Sequence, residues 1–270
     1  MVRPRSAETL GQCELLDGAL LIARDAYPGL DADRERERFE QLAAPLLRHG
    51  VGSLDAPAQV FALGAYLSGD CGFRGNEDDY YDPDNSFLNV VLDRRLGIPI
   101  SLAVVYLEVA RRAGIQASGV GFPGHFLVRV DDDEQTVIID PFSGQALGRP
   151  ELKQLLAAAT NSRMQFTDTM LDPAPTPHIL ARMLMNLRGI YAGRGEYQRL
   201  LLVLDRLIEL MPDAVEQVRD RGFLYAKLGA PGAAVEDLQR YAAAIPHAQD
   251  VPEIEGLISA LEQDVPKARN

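Results

Sequence analysis

Three residues of this chain have the types and the order of an acyl-transfer site. Ser101 leads the helical stretch Ser101 to Ala113, whose first half is apolar, His125 follows in FPGHFLVRV, and Asp140 closes TVIID. A helix N-terminus carries partial positive charge that favours an anionic nucleophile, a histidine takes or shares the proton, and an aspartate fixes the imidazole tautomer. A serine hydroxyl is a much weaker nucleophile than a thiolate, so Ser101 would need His125 as a strong general base and an oxyanion hole. The same serine has a plainer use as the N-cap of the helix it precedes. For His125 and Asp140 the plainer use is a hydrogen-bonded pair closing the open end of a hairpin. Cys71, in SGDCGFRGN, is the other candidate nucleophile, but nothing nearby in sequence marks a lowered thiol pKa, and it reads as an incidental thiol.

Other chemistry is poorly represented. The acidic loop with Asp78, Asp79, Asp82 and Asp84 lacks the glycine and terminal glutamate of a calcium loop and reads as a solvated face. His49, His125, His178 and His247 are scattered without ligand spacing, and there is no glycine-rich phosphate loop. No metal site and no cofactor is expected.

The elements that position the candidates follow from periodicity. Cys13 to Ala26 is amphipathic, Asp31 offers an N-cap for a second helix to about Arg48, and a third runs from about Pro57 to Leu67. Asn76 to Asn85 is a loop, Ser86 to Leu96 a short helix, and Ser101 to Ala113 the clearest helix, with Arg111, Arg112 and Gly114 at its end. The pattern then changes to period two on either side of Asp131 to Glu134, a β-hairpin with an acidic turn. Pairing Val130 with Gln135 sets Val128 opposite Val137, Phe126 opposite Ile139, and His125 opposite Asp140 on the same face. A short helix reaches about Ala159, and Asp172 to Pro177, rich in proline, reads as a domain linker.

Beyond it the chain repeats. Tyr191 and Tyr225, Gly195 and Gly229, and Pro212 and Pro246 are each 34 apart, a period that resembles the tetratricopeptide repeat. The repeats start near Ala181 and Val215. The second keeps small residues at Gly222 and Ala234, the first has Arg188 and Leu200 there, and Asp250 to Gln263 supplies a capping helix. The domains expected are a helical segment over 1–68, a core over 69–171 and a repeat tail over 178–270.

Composition bounds the function. With 27 basic against 39 acidic residues, net −12, the chain is no general binder of phosphate backbones. The uncharged run Leu96 to Leu107 is too short to span a bilayer, and MVRPRSAETL lacks the apolar core of a signal peptide. Two cysteines in 270 residues fit a reducing compartment, so a cytoplasmic location with neither nucleic acid nor membrane as partner is expected.

The wording YYDPDNSFLNVVLDRRLGIPISLAVVYLEVARRAGI, then GVGFPGHFLVRV and IIDPFSG, resembles the bacterial SirB family. The resemblance implies an α+β fold: a helical N-terminal segment, a transglutaminase-like, papain-like core with a small antiparallel sheet, and a C-terminal tetratricopeptide tail. It also implies a nucleophile at a helix start, then histidine and aspartate on neighbouring strands. Here the chain departs from an active transglutaminase, because aligning on Ala103 and Gly114 puts Pro99 at the cysteine position, with Ser101 two residues on. Two readings remain. The missing cysteine favours a non-catalytic, regulatory protein that binds a protein or peptide through its repeat tail. The retained His125 and Asp140 keep open a hydrolase or acyltransferase using Ser101 or Cys71.

Overall fold

The computed structural model describes residues 10–264, in two compact units: residues 13–183, and residues 10–12 with 184–264. The larger unit opens with α1 (Leu15–Ala26), α2 (Ala32–Arg48) and α3 (Ala56–Gly64). Asp31 caps α2 as expected, its carboxylate accepting from the Asp33 and Arg34 N–H groups. From α3 the chain runs directly into a π-helical turn, Ala65–Asp70, where the Cys71 N–H reaches back five residues to the Tyr66 carbonyl at 2.8 Å. Next come β1 (Arg74–Gly75), α4 (Leu88–Arg94) and β2 (Leu96–Gly97), with β1 and β2 paired in parallel.

At the centre stands α5 (Pro99–Arg112), buried at every position from Pro99 to Ala110. A helix that is apolar all round has to be enclosed. Its single buried acid, Glu108, is neutralised by Arg112 one turn on. The helix begins two residues earlier than its apolar pattern suggests: Ile98 is the N-cap and Pro99, with its preset φ, the first helical residue. Ser101 is therefore at the third helical position, which corrects its assignment as the N-cap.

An antiparallel meander covers α5, in the order β3 (Ala117–Val120), β4 (Leu127–Asp131), β5 (Thr136–Asp140) and β6 (Gln145–Leu147). Val130 pairs with Val137 and Val128 with Ile139, a register two residues away from the one expected. The reason is chemical. The Thr136 hydroxyl donates to the Asp131 carboxylate at 2.6 Å, making these two the last pair, and Asp132 builds the turn by accepting from the Glu134 and Gln135 N–H groups, each at 2.8 Å. A two-residue shift keeps every side chain on its face. Leu127 and Ile138 pack with Val120 and Phe122 against Leu152 and Leu156 of α6 (Arg149–Thr160), while Val128, Val130 and Ile139 are buried on the opposite face.

The proline-rich stretch expected as a linker is tied to the sheet. Pro173 forms a bridge with Val120, and the Ala174 N–H donates to the Gly119 carbonyl at 2.7 Å, so an extended segment covers the β3 edge just before α7 (Thr176–Arg194) begins. The two compact units meet in sequence at 183/184, within α7. The first three helices share one unit with α5 and the sheet.

The smaller unit continues from α7 through α8 (Tyr197–Leu210), α9 (Val215–Lys227), α10 (Pro231–Ala244) and α11 (Val251–Asp264). Leu238 lies so close to Gly222 that a Cβ there would stand 2.9 Å from it, and Ala234 is fully buried. These are the small positions the repeat needs. In the first repeat Arg188 instead reaches across to Asp220 of α9. Ile254 and Ile258 of α11 close the apolar stack over Leu238 and Tyr241. Arg221 of α9 joins Asp205 of α8 to Asp237 of α10, both at 2.7 Å. We expect Arg221→Ala to cost the repeats about 2–3 kcal/mol in chemical denaturation, since it strands the buried Asp237, less than a fully buried pair because Arg221 still touches water. An unchanged midpoint would refute that bridge.

Candidate functional site

His125 is delivered by the loop between β3 and β4. Its N–H donates to the Phe122 carbonyl at 3.0 Å, and this tight turn ends in the buried Phe126. Asp140 is the last residue of β5. Although His125 lies outside the ladder, its Nε2 stands 2.8 Å from Asp140 Oδ1. The carboxylate does more than meet the imidazole. Oδ1 also accepts from the Phe142 N–H at 2.9 Å, Oδ2 accepts from the Ser143 hydroxyl at 2.9 Å, and the Asp140 carbonyl accepts from the Gly144 N–H. Burial pushes the Asp140 pKa up, but the hydrogen bond and charge of His125, with the Phe142 and Ser143 donors, outweigh it and hold the carboxyl below its usual range.

Nδ1 is the ring nitrogen left to meet a nucleophile, and it makes no hydrogen bond among the described residues. Ser101 does not supply one. Its side chain is fully buried; Oγ accepts from the Ile98 N–H at 3.1 Å and lies 2.5 Å from the Asn85 carbonyl, to which it donates. Cys71 is partly exposed at the end of the π-helical turn, beside the Tyr66 hydroxyl. The structure thus brings His125 and Asp140 together and binds Ser101 into a different network.

That network contains the residues sequence reading missed. The Asn85 side chain accepts from Asn76 Nδ2 at 2.9 Å and donates to the Asp79 carbonyl at 2.7 Å, fixing the loop that had read as solvated. Asp82 and Asp84 of that loop grip Arg94 at 2.7 and 2.6 Å, which corrects their assignment as a solvated face. The loop carries Tyr80 to Phe142, ring centroids 6.4 Å apart, and Phe142 meets the His125 ring edge-on at 6.1 Å. Gly75 makes room, since a Cβ there would stand 2.1 Å from the Phe142 ring. On α5, the buried Tyr106 hydroxyl has no partner among the described residues; burial, then the charges of Asp140 and Cys71, push its pKa far up. Two asparagines in an otherwise acidic loop were the one available signal. Among the described residues no group of three His, Cys, Asp or Glu is placed to hold a metal ion, and no helix is long and apolar enough to cross a membrane.

Comparison with known proteins agrees with this architecture. A family model described as the transglutaminase-like superfamily matches residues 33–185, and one for the tetratricopeptide repeat matches residues 187–259. A UPF0162 protein of Xylella fastidiosa is 42% identical over 93% of this chain and 90% of its own length. A UPF0162 protein of Pseudomonas aeruginosa is 33% identical over 84% of this chain and 83% of its own. The mouse F-box only protein 21 is 31% identical over 66% of this chain but only 30% of its own length. No solved structure matches. With the central helix, the meander and the adjoining His125 and Asp140 all inside the matched span, the chain belongs to the transglutaminase-like superfamily and carries a tetratricopeptide region behind that domain.

Proposed function

We propose that this protein acts by binding a protein or peptide and not by turnover: a transglutaminase-like domain without a nucleophile, joined to a tetratricopeptide region, in a cytoplasmic, regulatory role. The observation that carries the reading is Ser101, fully buried with its hydroxyl held between the Asn85 and Ile98 carbonyls. A hydroxyl held that way reaches neither His125 nor an acyl group. Membership of the SirB family belongs to the same reading, supported by the wording of residues 80–144. The tetratricopeptide match supports protein binding, because stacked helix pairs offer an extended concave surface. A second reading, hydrolysis through Cys71, draws on the 2.8 Å pair of His125 and Asp140 and on the unbonded Nδ1.

Labelling the full chain with a serine-directed acylating probe and with a thiol-directed one tests the choice. We expect no modification of Ser101 and only His125-independent modification of Cys71. Labelling of either residue that disappears in His125→Ala would establish an active nucleophile and overturn the binding reading.

Substitutions test the structural roles of Ser101 and Asp140. Ser101→Ala leaves the buried Ile98 N–H and Asn85 carbonyl without their partner, so we expect it to cost about 1–3 kcal/mol in denaturant unfolding, against about 1 for an ordinary N-cap. Asp140→Asn should cost about 1–3 kcal/mol at neutral pH. Because folding lowers the Asp140 pKa, its stabilisation is complete above the unfolded value near ~4 and is lost as pH falls through the lower folded value. The gap between wild type and Asp140→Asn should therefore close below about pH 4. A gap independent of pH would show that the charge is not what matters.

A further inference from the structure

Arg182 of α7 lies against the loop that delivers His125. Its Nη2 donates to the His125 carbonyl at 2.9 Å and to the Phe122 carbonyl at 3.4 Å, and its guanidinium lies over the Phe126 ring, 5.8 Å from the centroid. Arg112, Arg129, Arg219 and Arg221 are each paired with a carboxylate, in a chain where acids outnumber bases by 39 to 27. Arg182 has no such partner among the described residues. Burial pushes its pKa down, opposed by Tyr80, which is close enough to sense its charge. A guanidinium offers five donors, and both of these carbonyls draw on one nitrogen, so most of its hydrogen-bonding capacity is unused. Holding a cation partly out of water without a counter-charge is costly, and a ligand anion removes that cost. The surroundings suit one: Tyr80 is 40% exposed and Tyr81 71%, and their rings meet edge to face at 5.4 Å.

Resting on the binding reading above, we propose that Arg182 and Tyr80 receive a carboxylate of the bound peptide, Arg182 through its planar fork and Tyr80 through its hydroxyl, with the rings of Tyr81 and Phe142 flanking the neighbouring residue. A carboxylate fits better than a phosphate because a single planar fork matches its two oxygens, and Asp140, bonded to the ring of the same His125 whose carbonyl Arg182 holds, disfavours a more highly charged anion. The carboxylate comes from the peptide's C-terminus or from an acidic side chain.

The test uses the full-length protein and pools of short fluorescein-labelled peptides, with a free or amidated C-terminus and with or without glutamate, read by fluorescence polarisation. We expect the pools carrying a carboxylate to bind and the amidated, glutamate-free pool not to. The pool with only one kind of carboxylate that retains binding identifies the source. Arg182→Met should weaken binding about tenfold or more, and Tyr80→Phe several-fold. Should Arg182→Met lower the melting temperature markedly, Arg182→Lys, which keeps the charge and loses the fork, takes its place beside Tyr80→Phe. Binding indifferent to carboxylates, binding unchanged in these variants, no binding by any pool, or competition by inorganic phosphate stronger than by acetate at matched ionic strength would each overturn the proposal. The two readings fail separately: carboxylate-blind binding removes this site and leaves the binding function standing, whereas His125-dependent turnover removes the binding function and leaves Arg182 as a holder of substrate.

Discussion

A helix shut off from water along its first twelve positions needs apolar partners on every side, and in the larger unit that helix is α5. Helices α2 and α4 and strands β3 and β4 all pack on it. At about 25 cal/mol per Å² of apolar surface, enclosing such a helix is a main source of stability, so its ends must be finished without stranded polar groups. Arg112 neutralises Glu108 near one end. At the other, Ser101 joins the Ile98 N–H to the Asn85 carbonyl.

The second of those bonds carries the effect of α5 outward. Asn85 holds Asn76 and the Asp79 carbonyl, which fixes the loop bearing Tyr80, and Tyr80 packs on Phe142, which packs on His125. The head of the helix, the acidic loop and the histidine are thus one contiguous chain of contacts. Ser101 and His125 are joined by packing and loop contacts and not by a hydrogen bond to each other.

What the sequence made legible was whatever one segment settles by itself. The α2 cap at Asp31 and the α5 helix with its apolar first half are local signals, the 34-residue spacing is a repeat of one local pattern, and each has its counterpart in the structure. The hairpin register was out of reach because hydrophobic alternation is satisfied equally by pairings two residues apart, and the Thr136 hydroxyl on Asp131 decides between them. Strands of two to four residues, β1, β2, β3 and β6, are too short to show a period. The acidic loop misled because Arg94, the partner of Asp82 and Asp84, follows it by a helix. Arg182 gave no signal at all, since what distinguishes it is a carboxylate missing from its surroundings in space.

A histidine and an aspartate retained in a chain without the expected thiol would ordinarily argue for surviving catalysis. The bonds of Asp140 weaken that argument. Besides His125 it accepts from the Phe142 N–H and the Ser143 hydroxyl, and its carbonyl takes the Gly144 N–H, so it builds the turn from β5 to β6. Removing it would open that turn whether or not a nucleophile were present. His125 is tied in as firmly, through its ring to Asp140 and Phe142 and through its carbonyl to Arg182. Each half of the pair therefore has a structural reason to be where it is, and the step that separates an enzyme from a binding protein on this scaffold is the supply of a nucleophile to Nδ1, a position to which neither Ser101 nor the helix start at Pro99 contributes a thiol or a free hydroxyl.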